Sequence, residues 1–289
     1  MPEPVALGFE GLPTPSLIAA LLRWRGALRE GSTIPRIQAR ATGVRVDPAG
    51  YAQACGFAPS ALAPLPYAQV LAAPLHLAVL GHAAFPLPLA GTVHTYQRIA
   101  QRRALRDGET VTVEAWVEGH AVLRSGGTFD LHTRVCVEGE VPWEGVTRIL
   151  SRAIRGHGGA REPHAPPAHE ESSRVAVDAP ADTGRRYARV SGDANPIHTS
   201  WVAARLFGFP RPIAHGMWTL ARACAALGAQ LPESSLVEAV FRSPVLLPGR
   251  LEIVSGARET GGVGFTVHAS RPCVTGTVTA LAEANTASP

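Results

Sequence analysis

No charged residue falls between Asp47 and Arg98, so this long segment belongs either in a membrane or inside a protein core. A spanning helix needs roughly 20 apolar residues without interruption. Here Pro59, Pro64, Pro66, Pro74, Pro86 and Pro88 punctuate the run, and His76 and His82 break its apolar face. The spacing therefore predicts a helix over about Tyr67–Ala84 buried in the core of a soluble protein rather than a membrane span. A chain of 289 residues with 46% hydrophobic and 17% charged residues has the apolar content to build that core.

The net charge is +4, and every basic residue is an arginine, because lysine is absent. Apart from Arg98, Arg102, Arg103 and Arg106 the arginines are scattered, which excludes a nucleic-acid arm or a polybasic membrane patch. A mild positive excess suits a ligand or partner carrying phosphates. Cys55, Cys136, Cys224 and Cys273 form no C-x-x-C pair and read as unpaired thiols in a reducing compartment. The acidic, proline-bearing start is unlike a secretory signal, so the expected location is cytoplasmic.

Gly156–Ser173 is poor in apolar residues and rich in Gly and Pro, and reads as an exposed linker between residues 1–155 and 174–289. Its His157, His164 and His169 are expected to be solvated rather than metal-bound. Each half runs from irregular sequence to an apolar helical stretch and then to alternating strands. Val111, Val113, Ala115 and Val117 alternate with polar neighbours, and Phe129, Leu131 and Thr133 continue the period of two. Leu251, Ile253, Phe265, Val267, Val274 and Val278 do the same in the second half. Met217, Leu220, Ala221, Cys224 and Leu227 carry helical spacing between Gly216 and Gly228. The fold class is α+β, one long helix on an antiparallel sheet, occurring twice. A faint repeat supports duplication: Tyr51 and Gly56 are spaced as Tyr187 and Gly192 are. Where the second half has Asp193, Asn195 and His198, the first has Phe57, Pro59 and Leu62.

Residues 187–198, Tyr-Ala-Arg-Val-Ser-Gly-Asp-Ala-Asn-Pro-Ile-His, are the richest in chemistry. Asn195 before Pro196 is what a helix start looks like, with Asn as N-cap. The cap accounts for those two residues but not for Asp193 or His198. A carboxylate and an imidazole five positions apart, across a tight turn into a helix, can converge on one water and divide proton acceptance and donation between them. In residues 207–217, Pro210 and Pro212 stop any preceding helix and Gly216 opens the next. Gly216 serves close packing or leaves a helix-terminal N–H exposed, where a developing negative charge is favoured. His215 reads as an ordinary hydrogen-bonded core histidine, a ligand being the alternative.

Together the two segments resemble the MaoC-like (R)-specific enoyl-CoA hydratases and 3-hydroxyacyl-thioester dehydratases. Residues 187–198 are similar to the hydratase motif, and Ile213–Met217 to the lead-in to the central helix. The resemblance covers residues 172–289; the first half resembles the divergent N-terminal hotdog of double-hotdog members, which lacks catalytic residues. It implies a double hotdog, two sheets each wrapping a long helix and joined as a pseudo-dimer. It implies that Asp193 and His198 activate water, Asn195 orders the pair, and the Gly216 amide binds the thioester oxygen. Ile213, His215 and Met217 would line the substrate site, the first half would supply the acyl-chain pocket, and Arg242 would meet phosphate at the carrier entrance. The implied reaction is reversible hydration of trans-2-enoyl thioesters of coenzyme A or acyl carrier protein to (R)-3-hydroxyacyl thioesters. No metal or redox cofactor is implied, because the thioester itself acidifies the α-carbon, and a homodimer is compatible. The competing readings are a hotdog thioesterase, which needs a carboxylate near the central helix, and a non-catalytic acyl-thioester-binding subunit.

Overall fold

A computed structural model describes residues 4–23, 25–28, 31–123, 126–155 and 169–281. The first half contains β1 (Val5–Glu10), α1 (Leu17–Leu22), β2 (Ile37–Arg45), α2 (Ala49–Cys55), α3 (Ala68–Gly81), β3 (Val93–Gln101), β4 (Thr110–Val117), β5 (Ala121–Leu123), β6 (Gly126–Val137) and β7 (Glu140–Ser151). The second contains β8 (Ser173–Ala179), α4 (Thr183–Ser191), α5 (Pro196–Thr199), α6 (Trp201–Leu206), α7 (Gly216–Leu227), β9 (Ser235–Phe241), β10 (Gly249–Ala257), β11 (Val263–His268) and β12 (Pro272–Ala280).

The strands join in one sheet of order β1-β2-β4-β6-β7-β3-β9-β12-β11-β10-β8, with β5 on β6. Outward from the centre, each half presents its strands in the same sequence: β3-β7-β6-β4-β2 on one side, β9-β12-β11-β10-β8 on the other. This is a pseudo-two-fold, and its axis passes between the antiparallel strands β3 and β9, paired from Tyr96↔Val240 to Gln101↔Ser235. Helix α3 packs on β2, β4 and β6, and α7 on β10, β11 and β12. The architecture is a double hotdog of the α+β class. The alternating positions point inward as the pattern predicts: Val111, Val113, Ala115, Val117, Phe129, Leu131, Leu251, Ile253, Phe265, Val267, Val274 and Val278 are all buried.

Helix α3 falls within the uncharged segment, and no helix among the described residues is long and apolar enough to cross a membrane. The first-half core around α3 is not wholly apolar. Gln69 Nε2 donates to Thr147 Oγ1 (3.0 Å), Thr147 Oγ1 to Gln97 Oε1 (2.8 Å), and His76 Nε2 lies 2.8 Å from Thr133 Oγ1. All five side chains are buried.

Two local expectations change. Each half opens with strand rather than irregular sequence: β1 precedes α1, β2 precedes α2 and α3, and β8 precedes α4. In β2 the inward positions Ile37, Ala39 and Ala41 are followed by a register shift before Val44, at Gly43 with φ 68°, so the period of two is interrupted. Of the stretch read as a linker, residues 156–168, including His157 and His164, lie outside the described residues. Its end is tied to the sheet: Glu170 N donates to Ala257 O and Ser172 N to Ser255 O, both 3.0 Å, and β8 begins at Ser173.

Candidate active site

Helix α4 ends at Gly192, whose left-handed φ of 71° turns the chain out of the helix and sets Asp193 at its tip. The turn is held by short polar bonds: Asp193 N donates to Ser191 Oγ (3.2 Å) and Asn195 N to Asp193 Oδ1 (3.2 Å). Asn195 is the N-cap of α5, its side chain accepting from Ile197 N, with Pro196 at the first helical position. The cap fixes where α5 starts and so where His198 points. Gly184 lets α4 lie against α5, since a Cβ there would sit 1.9 Å from the carbonyl oxygen of His198.

His198 is buried, and its Nδ1 lies 2.8 Å from the carbonyl oxygen of Ile213. A carbonyl can only accept, so Nδ1 carries the proton and the neutral ring offers its lone pair at Nε2. Ile213, expected to touch substrate, thus fixes the tautomer of His198 through its backbone. By the same reasoning Nε2 of His215, 3.0 Å from the backbone oxygen of Asp193, is protonated; the Asp193 carboxylate is 3.7 Å away. The two imidazoles stack with centroids 3.7 Å apart, and Tyr187 packs on His215 at 4.8 Å. Burial pushes the pKa of His198 below its ordinary value despite the opposing pull of Asp193, and pushes His215 down to about 4 with His198 adding to the effect. Both rings are neutral near pH 7.

One donor atom from each of Asp193, His198 and His215 lies within 4.8 Å of the others. Two hydrogen bonds of about 2.8 Å made by one water span groups roughly that far apart. Three such groups could also ligate a cation; Nδ1 of His198 and Nε2 of His215 are already committed to backbone carbonyls, which leaves one ring nitrogen on each.

Beside this cluster α7 begins. Its first intrahelical bond runs from Thr219 N to His215 O (3.1 Å), and His215 gives no side-chain cap, so the amides of Gly216, Met217 and Trp218 have no acceptor within the helix. A Cβ at Gly216 would lie 3.0 Å from two ring atoms of Phe241, so Gly216 both packs tightly and opens the helix. Both readings of this glycine hold at once. Met217 is half-buried against the core. Arg242, at the end of β9, is braced by Nε to Thr275 Oγ1 (3.0 Å).

The structure therefore brings together Asp193, Asn195, His198, His215 and Gly216. Residue patterns alone understate His215 and miss Phe241 and, from the first half, His94. The His94 ring packs on Phe241 with centroids 4.3 Å apart. Burial drives its pKa down to about 4, and the charge of Asp193 opposes that shift. No local signal marks His94, because the other half of the molecule brings it to the site.

The MaoC like domain family model matches residues 160–270. The 3-hydroxyacyl-thioester dehydratase X of Mycobacterium tuberculosis is 37% identical over 210 residues, 70% of this chain and 74% of that protein. Dehydratase Y of the same organism is 32% identical over 190 residues, 62% of this chain and 60% of that protein. Among solved structures, M. tuberculosis HtdX superposes with a TM-score of 0.72 at 33% identity, covering 84% of this chain and all of that one. A MaoC-like dehydratase from Phytophthora capsici, 19% identical, shares the fold with a TM-score of 0.70, covering 87% of this chain and 97% of that one.

Proposed function

This chain belongs to the MaoC-like dehydratase family, and on that premise we propose that it hydrates trans-2-enoyl thioesters reversibly to (R)-3-hydroxyacyl thioesters through Asp193, His198 and the amide of Gly216. The observation that carries this reading is the cluster of donor atoms within 4.8 Å, with the His198 tautomer set by Ile213.

Water held between Asp193 and His198 adds its oxygen to C3 while Nε2 of His198 takes one of its protons. The C2–C3 π electrons move onto the thioester oxygen, where the Gly216 amide and the α7 dipole stabilise the enolate. The proton then passes from the imidazolium to C2, the Asp193 carboxylate having balanced its charge in the interval. Dehydration runs the same steps in reverse. Asn195 acts as a positioning residue through the α5 cap. His215, Ile213 and Met217 wall the site, Arg242 stands for a phosphate of the carrier, and the first half contributes the acyl-chain pocket.

Residues 1–155 and 174–289 form the two functional units under this reading, in a reducing, cytoplasmic setting that suits four free thiols. A homodimer is the assembly to test by light scattering. A thioesterase reading finds no Asp or Glu on α7 itself, and the carboxylate placed beside the helix start, Asp193, is clustered with His198 and His215. The deciding assay follows enone absorbance with crotonyl-CoA and a longer enoyl-CoA, alongside a thiol reagent. Loss of absorbance without thiol release is expected; thiol release, or binding without turnover, would replace the hydratase reading.

A further inference from the structure

Helix α6 starts three residues beyond His198 and turns an apolar face to solvent. Trp201 is 46% exposed, Val202 71%, Leu206 80% and Phe207 49%, while Ala204 seats the helix inward. Among the described residues only Leu62 and Val93 are other large apolar side chains with comparable exposure. Scattered exposed apolar residues are ordinary, but four within seven positions form a patch of the kind that marks an interaction surface. Arg205 sits within it, exposed and without an ion pair among the described residues. Between Asp193 and Glu233 the charged residues are Arg205, Arg211 and Arg222, with no acid among them.

We propose that the exposed face of α6, Trp201, Val202, Arg205, Leu206 and Phe207, docks an acidic acyl carrier protein that presents its enoyl thioester to the site. This rests on the hydratase reading and names the carrier for it. Charge complementarity selects an acidic partner with an apolar contact. An exposed Arg205 meeting its own copy across a two-fold axis would set like charges together. A helix of one and a half turns with a single basic residue is also far short of the basic cluster that holds a protein on an anionic membrane. Because α6 packs on α5, the helix that carries His198, a carrier seated there brings its arm close to the catalytic cluster.

The experiment compares crotonyl thioesters of acyl carrier protein, coenzyme A and N-acetylcysteamine on the full-length chain. The variants are Val202→Ser with Leu206→Ser, and Arg205→Glu, all on exposed positions outside the catalytic cluster. Removing apolar anchors or reversing a steering charge is expected to lower kcat/KM on the carrier-bound substrate about tenfold, chiefly through KM. Turnover of the N-acetylcysteamine thioester is expected to stay at wild type. The carrier reaction alone is expected to weaken as salt rises. Equal losses on coenzyme A and carrier, no loss on the carrier, or wild-type turnover of the coenzyme A form only, would overturn the proposal. So would light scattering that finds a dimer in wild type and a monomer in the variants, or wild-type binding to phosphatidylserine vesicles that the variants lose. Failure of the wild type on all three substrates would instead remove the hydratase reading beneath it.

Discussion

Proton acceptance by His198 requires a neutral ring, and burial lowers its pKa from 6.5. The acid limb of kcat/KM is therefore expected below pH 6.5, with activity flat from there toward pH 8, and an inflection above 6.5 in a pH profile would contradict the assignment of His198 as base. Replacing Asp193 with Asn or His198 with Ala should each lower kcat by about 100-fold or more, the scale of a positioned acid or base. The double variant should be little worse than the worse single one, because the two groups act as a unit. At Gly216 the comparison of Pro with Ala isolates the amide. Both add a carbon against Phe241, but only Pro removes the N–H, and His215 at φ −64° and ψ 138° already has the backbone that precedes a proline. Gly216→Pro should cost about 3–4 kcal/mol in the transition state, read in kcat. Gly216→Ala should act mainly on KM; full kcat in a well-folded Pro variant would move the oxyanion role elsewhere. Asp193, Asn195 and His198 were legible because one turn and one cap order them locally. His215 entered only through the family resemblance, because a buried histidine beside a helix start looks the same whether it fills core or faces a carboxylate 22 residues away.

Helices α2 and α7 come from different halves, yet one caps the other. Trp218 Nε1 donates to Ala54 O (3.1 Å) and Arg222 Nη1 to Cys55 O (2.8 Å), so two side chains one turn apart satisfy the last carbonyls of α2. Gly56, at φ 74°, ends that helix, and a Cβ there would sit 1.4 Å from Arg222 Nη1. Arg222→Ala is expected to cost about 1.5–3 kcal/mol, the range of a hydrogen bond to a charged donor, in denaturant unfolding. Gly56→Ala should cost less in that background than in wild type, since only the left-handed strain then remains; additive losses would show that the guanidinium yields freely. The repeat of Tyr and Gly pointed to this region correctly. Tyr51 and Tyr187 meet with ring centroids 6.1 Å apart, and Gly56 and Gly192 are both left-handed helix ends. The spacing could not say that the two copies touch, because contact across a pseudo-axis leaves no trace in either copy alone. The strands β2 and β8 escaped notice for a plainer reason: in β2 two inward positions are alanines and the period breaks before Val44, and in the short β8 only Val177 and Ala179 are buried.

For the molecule as a whole, the β3–β9 seam makes the halves interdependent. A fragment of residues 172–289 would leave β9 as an open edge and uncover Trp218 and Tyr187, now 4% and 3% exposed. It should be insoluble or self-associated with little activity; a monomeric, fully active fragment in size-exclusion chromatography would refute the pseudo-dimer. Acid stability follows from buried neutral histidines in both halves. Burial lowers His76 to about 3 and His215 to about 4, from 6.5, so the unfolded chain binds protons that the folded one refuses. Their contribution is complete above pH 6.5 and is lost as pH falls toward 4 and 3, at about 1.4 kcal/mol per pH unit for each histidine. The Tm should drop over that window, and His76→Gln should flatten the drop; an unchanged slope would mean that His76 is solvated. The mirrored strand order has a consequence for how such a molecule can change over generations. In a dimer of identical chains every mutation lands twice, so a change that suits a pocket must also be tolerated at the catalytic turn across the axis. Fusing the copies ends that constraint. His76, Gln69 and Gln97 could be recruited in one copy, and Asp193 and His198 retained in the other, without either innovation being imposed on its twin.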